Sequence, residues 1–257
     1  MSGLYSKIDN SSLVNFLFYP ARRHSKPRGG AFDLQVPVEN ELFIVCRAFP
    51  ADQDNPWILY FHGNGEVVSD YDSIAPRYND RGLNLLVADY RGYGASDGSP
   101  TFTDMVKDAV TIFDYVYHEL PPGGHGYSWY VMGRSLGSIS ALELAAKFPG
   151  KLNGLITESG FISVTRLINH LGLPSPGDLS ALEQENRRLA GSIKLPALVI
   201  HGERDRLVPL EQGKDLYETL GSGEKELVMI PGADHNDIMF ADPEKYMQAI
   251  AEFVLNK

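Results

Sequence analysis

Cysteine, positive charge and long apolar runs are all scarce in this chain of 257 residues. Cys46 is the only cysteine, so no intramolecular disulfide can form, and we expect a reducing, cytoplasmic setting. The formal net charge is −10 at pH 7, which argues against nucleic acid as a partner because a polyanion would be repelled.

Segments that address or anchor a protein to membranes are missing too. Residues 1–10 lack the charged and apolar regions of a signal peptide, and no run approaches the roughly 20 apolar residues of a membrane span. Residues 13–19 are apolar but short, so we expect them to pack on the domain surface without stable membrane insertion. A loose membrane contact through Phe16 and its neighbours is the alternative.

The sequence is also poor in motifs for metals and phosphates. It has no H-E-x-x-H pattern and no cluster of cysteine and histidine. The glycine-rich run at residues 89–98 contains no phosphate-binding pattern that opens a helix. We therefore expect neither a metal nor a cofactor.

Short apolar runs alternate with helix-length segments along most of the chain, which is typical of central parallel strands joined by helices. We predict strands at residues 57–61, 84–88, 130–132, 154–157, 197–200 and 227–230, and an earlier antiparallel hairpin of 32–38 with 42–49. Helices are predicted at residues 67–80, 104–120 (ended by Pro121 and Pro122), 138–148, 210–220 and 243–256. The pattern predicts an α/β fold with a mostly parallel sheet of about eight strands and helices on both faces.

About thirty residues, 161–192, interrupt this rhythm between two predicted central strands. They comprise an apolar stretch, a loop rich in proline, glycine and serine, and a charged helix-like segment. We interpret the insertion as a small helical lid on one domain that spans residues 1–257.

Ser135 lies in a Gly-Arg-Ser-Leu-Gly turn between a predicted strand and a predicted helix. The pattern G-x-S-x-G in this context is typical of a nucleophilic serine on a strained turn, which needs small residues at 133 and 137. Such a serine requires a base, a group that orients the base, and donors for the oxyanion. The rest of the chain must supply them.

Polar residues that follow later strands supply these groups in chain order. Asp205 follows the strand at 197–200, and His235 follows the strand at 227–230, so all three side chains meet at the carboxyl edge of the sheet. We predict His235 as the base and Asp205 as its partner, with Glu158 and Asp234 as alternatives for the acid. The predicted oxyanion donors are the N–H groups of Leu136 and of Asn64, each after its own strand.

Several stretches together resemble the α/β-hydrolase family, and within it the compact branch of depalmitoylases and monoacylglycerol-lipase-like serine hydrolases. They are His62-Gly63-Asn64-Gly65, the run from Asp89 to Gly98, the turn from Gly133 to Gly137, the run from His201 to Asp205, and Gly232-Ala233-Asp234-His235. The resemblance implies the α/β-hydrolase fold, and it implies structural roles for His62 and His201 at their turns.

The sequence predicts a serine hydrolase that cleaves esters or thioesters of small acyl or acylated substrates through an acyl-enzyme. Apolar residues near the catalytic turns predict a pocket for an apolar acyl chain, namely Phe161, Leu167, Leu171, Ile238 and Met239. A transferase, perhydrolase or amidase with the same triad remains open, as does a binding protein with a silent site. The oligomeric state is not predicted.

Overall fold

One sheet of eight strands organises the computed structural model, which describes residues 4–120 and 127–256. Pro121 and Pro122 lie outside the described residues. In space the strands run in the order β1-β2-β4-β3-β5-β6-β7-β8. Their bounds are β1 (Phe32–Pro37), β2 (Phe43–Phe49), β3 (Trp57–Phe61), β4 (Asn84–Ala88), β5 (Trp129–Arg134), β6 (Gly154–Glu158), β7 (Ala197–Gly202) and β8 (Lys225–Ile230).

The pairing of these strands confirms the predicted fold class. β1 pairs antiparallel with β2, as the predicted early hairpin requires, and β2 also pairs antiparallel with β4. All the other neighbours pair parallel, from β4 and β3 across to β8. Because the strands from β3 to β8 share one direction, their carboxyl ends meet along one edge of the sheet.

The α-helices agree with most of the predicted segments. They are α1 (Ser6–Asp9), α2 (Val14–Leu17), α3 (Ala75–Asn79), α4 (Phe102–Glu119), α5 (Ser138–Lys147), α6 (Val164–His170), α7 (Ser180–Ser192), α8 (Leu210–Thr219), α9 (Ile238–Ala241) and α10 (Pro243–Leu255). Within the insertion at 161–192, α6 and α7 are the two helices.

The single helix predicted at residues 67–80 is wrong. The chain forms a 3₁₀ helix over Val68–Ser73 and then the short helix α3. Pro76 lies in the first turn of α3, where a backbone N–H has no intrahelical acceptor, so the N–H that proline lacks costs the helix no hydrogen bond. The same proline in the middle of one continuous helix would remove a hydrogen bond and clash with the preceding turn.

Two apolar layers cover the two faces of the sheet, and β5 shows how the sequence divides between them. Trp129 and Val131 belong to the layer that contains α4 and α5. Tyr130 and Met132 belong to the opposite layer, which contains α3 and α10. Because side chains alternate across a strand, the uninterrupted apolar run of β5 packs against helices on both faces.

The N-terminal segment, residues 4–19, packs on the first of these layers, as predicted for its apolar part. The Asp9 carboxylate accepts hydrogen bonds from the N–H groups of Phe102 at 2.8 Å and Thr103 at 3.1 Å. It therefore caps the first turn of α4 from a distant part of the chain, where orphan N–H groups and the helix dipole favour an anion. No helix in the described ranges has the length and apolar character needed to cross a membrane.

We expect Asp9→Ala to lower the free energy of unfolding by about 1 kcal/mol, the typical effect of losing a helix cap. Asp9→Asn should lose less, since the amide oxygen can still accept one of the bonds. Urea denaturation followed by far-ultraviolet circular dichroism measures both. Glu218→Ala, on the exposed side of α8, is the control. A loss for Glu218→Ala equal to that for Asp9→Ala would contradict the capping role.

Candidate active site

Three side chains from separate loops meet at the carboxyl edge of the sheet. Ser135 follows β5, Asp205 follows β7, and His235 follows β8. All three are buried, and each is at most 7% exposed. The topology thus brings together the three residues that the sequence predicted as a triad.

Ser135 occupies a strained turn whose closure depends on two glycines. Its φ is +50°, in the left-handed region that non-glycine residues rarely adopt. A Cβ on Gly133 would lie 2.4 Å from the carbonyl oxygen of Gly137. A Cβ on Gly137 would lie 2.1 Å from the carbonyl oxygen of Phe61, at the end of β3. Only glycines therefore allow strand and helix to pack this closely while Ser135 projects from the turn.

The side chains of the three residues form one hydrogen-bonded relay. Ser135 Oγ lies 3.0 Å from His235 Nε2, and His235 Nδ1 lies 2.8 Å from Asp205 Oδ2. A carboxylate can only accept, so its contact selects the His235 tautomer with the proton on Nδ1. The lone pair on Nε2 then faces the Ser135 hydroxyl, which is the arrangement that general-base activation needs.

Asp205 is held as an anion by several donors. Its Oδ1 accepts hydrogen bonds from the N–H groups of Leu207 at 3.0 Å and Val208 at 2.8 Å. Burial by itself would raise the pKa of Asp205, but the hydrogen bond and charge of His235 outweigh it, with further help from Val208, and lower the pKa. The carboxylate therefore stays charged and can stabilise an imidazolium.

The two alternative acids have other partners. Asp234 accepts hydrogen bonds from the N–H groups of His235 and Arg206, and these bonds lower its pKa, but they involve backbone and not the imidazole. Glu158 is buried and accepts a hydrogen bond from Arg134 Nε at 3.0 Å. The geometry therefore favours Asp205 as the acid.

His201 supports the loop that carries Asp205. Its Nε2 donates to the carbonyl oxygen of Val208 at 2.8 Å. Burial, the largest influence, lowers the pKa of His201 and keeps the ring neutral. A Cβ on Gly213 would lie 2.3 Å from His201 Nδ1, so α8 packs directly on the ring. These contacts fit the structural role that the family resemblance implies.

The predicted oxyanion donors lie beside Ser135. Asn64 and Leu136 line the same pocket as the serine. Leu136 is in the first turn of the 3₁₀ helix Ser135–Gly137, which leads into α5, so its N–H is at a helix start where intrahelical acceptors are absent. Across the described residues, no protein group accepts a hydrogen bond from the Asn64 N–H.

The side chain of Asn64 ties the N-terminal segment to this loop. Its Oδ1 accepts hydrogen bonds from the Tyr19 N–H at 2.8 Å and the Tyr93 hydroxyl at 2.6 Å. Its Nδ2 donates to the carbonyl oxygen of Leu17 at 3.0 Å. These three hydrogen bonds hold Asn64 at the pocket wall.

The loop before Asn64 is braced by His62. Its Nδ1 lies 2.7 Å from the carbonyl oxygen of Gly63, and its Nε2 lies 3.1 Å from Asp89 Oδ1. The Tyr90 hydroxyl donates to the carbonyl oxygen of His62 at 2.6 Å. Burial of the whole group fixes the backbone that leads from β3 to Asn64.

An apolar pocket of about 430 Å³ opens at Ser135, within the range typical of small-molecule sites. Phe161, Leu167 and Leu171 line it, as the sequence predicted. The other lining residues are Phe16, Leu17, Tyr19, Asn64, Phe102, Leu136, Val164, Ile168, Leu173, Leu207 and Val208. None of these described residues is charged, so the wall offers mainly apolar contact.

The structure corrects the expectation for Ile238 and Met239. Both belong to the apolar layer on the opposite face of the sheet, and they line a small separate cavity together with Tyr60 and Glu158. The predicted acyl-pocket role of these two residues is therefore wrong. Nearness to His235 in the sequence is misleading because the chain enters α9 directly after the loop and turns away from the pocket.

Sequence reasoning missed the wall that the N-terminal segment supplies. Phe16, Leu17 and Tyr19 line the pocket opposite α6. Phe16 is 56% exposed and Tyr19 is 70% exposed, which is unusual for large apolar or aromatic side chains beside a buried serine. The aromatic run at 16–19 was the available signal, but nothing in the sequence linked it to Ser135.

The sequence matches the family model described as serine aminopeptidase, S33, over residues 53–181 and 177–243, which is most of the chain. The chain belongs to the serine aminopeptidase S33 family, a family of α/β-hydrolases. This S33 chain is also 31% identical over 211 residues to protein bem46 of Schizosaccharomyces pombe, with 79% of this chain and 68% of bem46 covered.

Two solved structures share the fold of this S33 family member. The esterase Pf2001 of Pyrococcus furiosus matches with a TM-score of 0.76 and 19% identity, over 92% of this chain and 98% of the esterase. A monoacylglycerol lipase of Paleococcus ferrophilus matches with a TM-score of 0.65 and 21% identity, over 83% of this chain and 98% of the lipase. At these identities the likeness concerns the fold.

In the described ranges, 4–120 and 127–256, no group of three or more histidine, cysteine, aspartate or glutamate side chains is arranged to hold a metal ion. The relay of Ser135, His235 and Asp205 contains the proton acceptor and the charge needed for nucleophilic attack by itself.

We expect Asp205→Asn to lower kcat for an ester substrate by about 10³–10⁴-fold, because the amide favours the wrong His235 tautomer. Asp234→Asn is the matched control, since its amide oxygen can still accept the same backbone bonds. Steady-state kinetics on both purified variants make the test. Equal losses in the two variants, or a loss confined to Asp234→Asn, would rule out Asp205 as the acid.

Proposed function

We propose that this S33 family member is a serine hydrolase of carboxylic esters or thioesters that carry an apolar acyl chain. The observation that carries the proposal is the relay from Asp205 through His235 to Ser135 at the floor of an uncharged pocket. A serine with a correctly oriented base is the requirement for acyl transfer, and the pocket sets which acyl group reaches it.

The proposed reaction uses each of these groups in turn. His235 Nε2 takes the proton of Ser135 while Oγ attacks the carbonyl carbon, and the N–H groups of Asn64 and Leu136 receive the oxyanion. His235 then passes its proton to the leaving alcohol or thiol as the bond to it breaks. Water, deprotonated by the same imidazole, attacks the acyl-enzyme, and the acid leaves as Ser135 regains its proton.

The pocket wall supports an apolar acyl chain over a free amino terminus. An aminopeptidase must hold the ammonium group of its substrate, which calls for a carboxylate close to the scissile bond. No aspartate or glutamate is found among the described residues that line the pocket. The family description names a peptidase, whereas the uncharged wall supports a hydrocarbon chain as the proposed occupant.

The rim of the pocket supports the same choice. Leu171 is 37% exposed and Leu207 is 43% exposed, and with Phe16 and Tyr19 they place four apolar or aromatic side chains at the entrance. Exposed apolar groups that gather around a pocket mark a binding region. A chain of methylene groups entering here removes both its own surface and that of the rim from water.

For p-nitrophenyl esters from acetyl to palmitoyl, we expect kcat/KM to rise about fourfold per added methylene until the pocket is filled, since each buried methylene contributes about 0.8 kcal/mol. The Ser135→Ala variant should show no turnover above background. Leucine p-nitroanilide should be a poor substrate. A flat profile that Ser135→Ala does not change would overturn the proposal, and preference for the anilide would favour a peptidase.

We expect Leu167→Trp to shift this preference toward short chains, because the larger ring fills space beside Ser135. The ratio of kcat/KM for octanoyl to acetyl ester should fall at least tenfold, while the acetyl ester changes little. Met239→Leu, in the opposite layer, is the control and should keep the wild-type ratio. A ratio unchanged by Leu167→Trp would place the acyl chain elsewhere.

Two other candidate functions, an acyl transferase or perhydrolase and a catalytically silent binding protein, can be distinguished with the same purified protein. Product analysis with added alcohol or hydrogen peroxide shows whether the acyl group goes mainly to water or to another nucleophile, as in a transferase or perhydrolase. Reaction of Ser135 with a fluorophosphonate probe tests whether the site is competent at all. Failure to react would favour a silent binding protein.

A further inference from the structure

Arg134, the residue directly before Ser135, projects its guanidinium into a buried cluster of polar groups. Its Nη1 lies 2.7 Å from Glu66 Oε1, and its Nε donates to Glu158 Oε1 at 3.0 Å. Its Nη2 donates to the carbonyl oxygen of His235 at 2.8 Å. One side chain thus contacts three segments that converge on the serine.

The first of these contacts reaches the oxyanion loop. Glu66 Oε2 accepts a hydrogen bond from the Gly63 N–H at 2.8 Å, and Gly63 directly precedes Asn64. A Cβ on Gly63 would lie 2.2 Å from Arg134 Nη1, so the guanidinium occupies the space that a side chain would need. The ion pair of Arg134 and Glu66 therefore fixes the backbone that carries the Asn64 N–H.

The second contact reaches the loop of the base. The His235 carbonyl accepts from Nη2, and the same nitrogen donates to Asn236 Oδ1 at 3.3 Å. The first bond holds the backbone directly after the His235 side chain, and the second holds the side chain of the next residue. The imidazole, which faces Ser135, is therefore anchored from behind by the neighbour of the serine itself.

The third contact anchors the arginine. Glu158, at the end of β6, also accepts hydrogen bonds from the hydroxyls of Tyr60 at 3.2 Å and Tyr246 at 2.7 Å. Burial opposes the charge of Arg134, but Glu66 and Glu158 outweigh it and raise the pKa, so the cation is permanent. A largely buried guanidinium whose different nitrogens contact two carboxylates has one well-defined position.

We propose that Arg134 is a positioning residue that sets the oxyanion loop and the His235 loop at fixed distances from Ser135. This proposal rests on the proposed acyl-transfer function where it is tested with ester substrates, whereas the reaction of Ser135 with a fluorophosphonate probe tests it without an ester. Arg134 contacts no substrate and acts through the Asn64 N–H and the His235 imidazole. The effect should appear in the chemical step more than in substrate binding, because misplacing reacting groups by about 1 Å can slow a reaction about 10²-fold.

The test compares Arg134→Met, Arg134→Lys and Arg47→Met. Arg47 is the matched control, since it is buried on β2 and pairs with two carboxylates, Asp33 and Asp72, and one carbonyl, but lies outside the pocket. Titration with a fluorophosphonate gives the concentration of reactive sites, so rate constants can be expressed per reactive site and misfolded protein does not lower them. Both the rate constant of that reaction and kcat and KM for the best ester are measured per titrated site.

For Arg134→Met we expect kcat per site to fall about 100-fold with KM within about threefold of the wild type. Arg134→Lys should recover part of the loss, because an ammonium keeps the charge but lacks the fork. Arg47→Met should lose stability but keep the wild-type rate per site. Equal rates per site in Arg134→Met, Arg47→Met and wild type would overturn the proposal.

Glu66→Gln keeps the experiment decisive if Arg134→Met fails to fold. It removes the charge that links Arg134 to the oxyanion loop, so its kcat per site should fall below that of wild type. A wild-type kcat would overturn the role of that contact. If wild type turns over no ester but its probe reaction slows in the Arg134 variants, the positioning role stands and the substrate proposal fails. If wild-type Ser135 does not react with the probe, both fail.

Discussion

The contact of Gly137 with the end of β3 is the constraint on which the site depends. It brings the start of α5 against the backbone of Phe61, at a distance that no side chain at 137 would allow. Leu136, which precedes Gly137, and Asn64, in the loop that follows β3, line one pocket together with Ser135. The strained φ of Ser135 is tolerated because strand, helix and neighbouring strand all over-determine the turn.

Two electrostatic environments lie on opposite sides of this turn. On one side the described residues that line the pocket carry no charge. On the other side Arg134, Glu66 and Glu158 form a dense, fully paired cluster. Such a cluster is costly to desolvate unless each group has partners, and here each does.

The strands and the mostly parallel character of their sheet could be predicted from the sequence because the pattern of apolar runs is a local signal. The same holds for Ser135, Asp205 and His235, since a parallel sheet delivers the ends of its strands to one edge. The residues that form the walls of the pocket were harder to predict from the sequence. Leu17 and Tyr19 are tied to the pocket by hydrogen bonds with Asn64, whereas Ile238 packs in the layer on the other face of the sheet.

The polar cluster could not be predicted for a related reason. Arg134 reads as a variable position in G-x-S-x-G, and its partners Glu66, Glu158 and His235 are scattered along the chain. Only the packing of three loops behind the turn shows that they share one guanidinium. Contacts between distant segments of this kind leave no periodic trace in a sequence.

The parallel topology also has a consequence for the order of events during synthesis. His235 is 30 residues from Asp205 and 100 residues from Ser135 along the chain, and it follows β8, an edge strand of the sheet. Pairings of such high contact order form late, and chains emerge from the ribosome from the amino end. With His235 as the proposed base, a nascent chain therefore has Ser135 without that base until the last strand has joined the sheet.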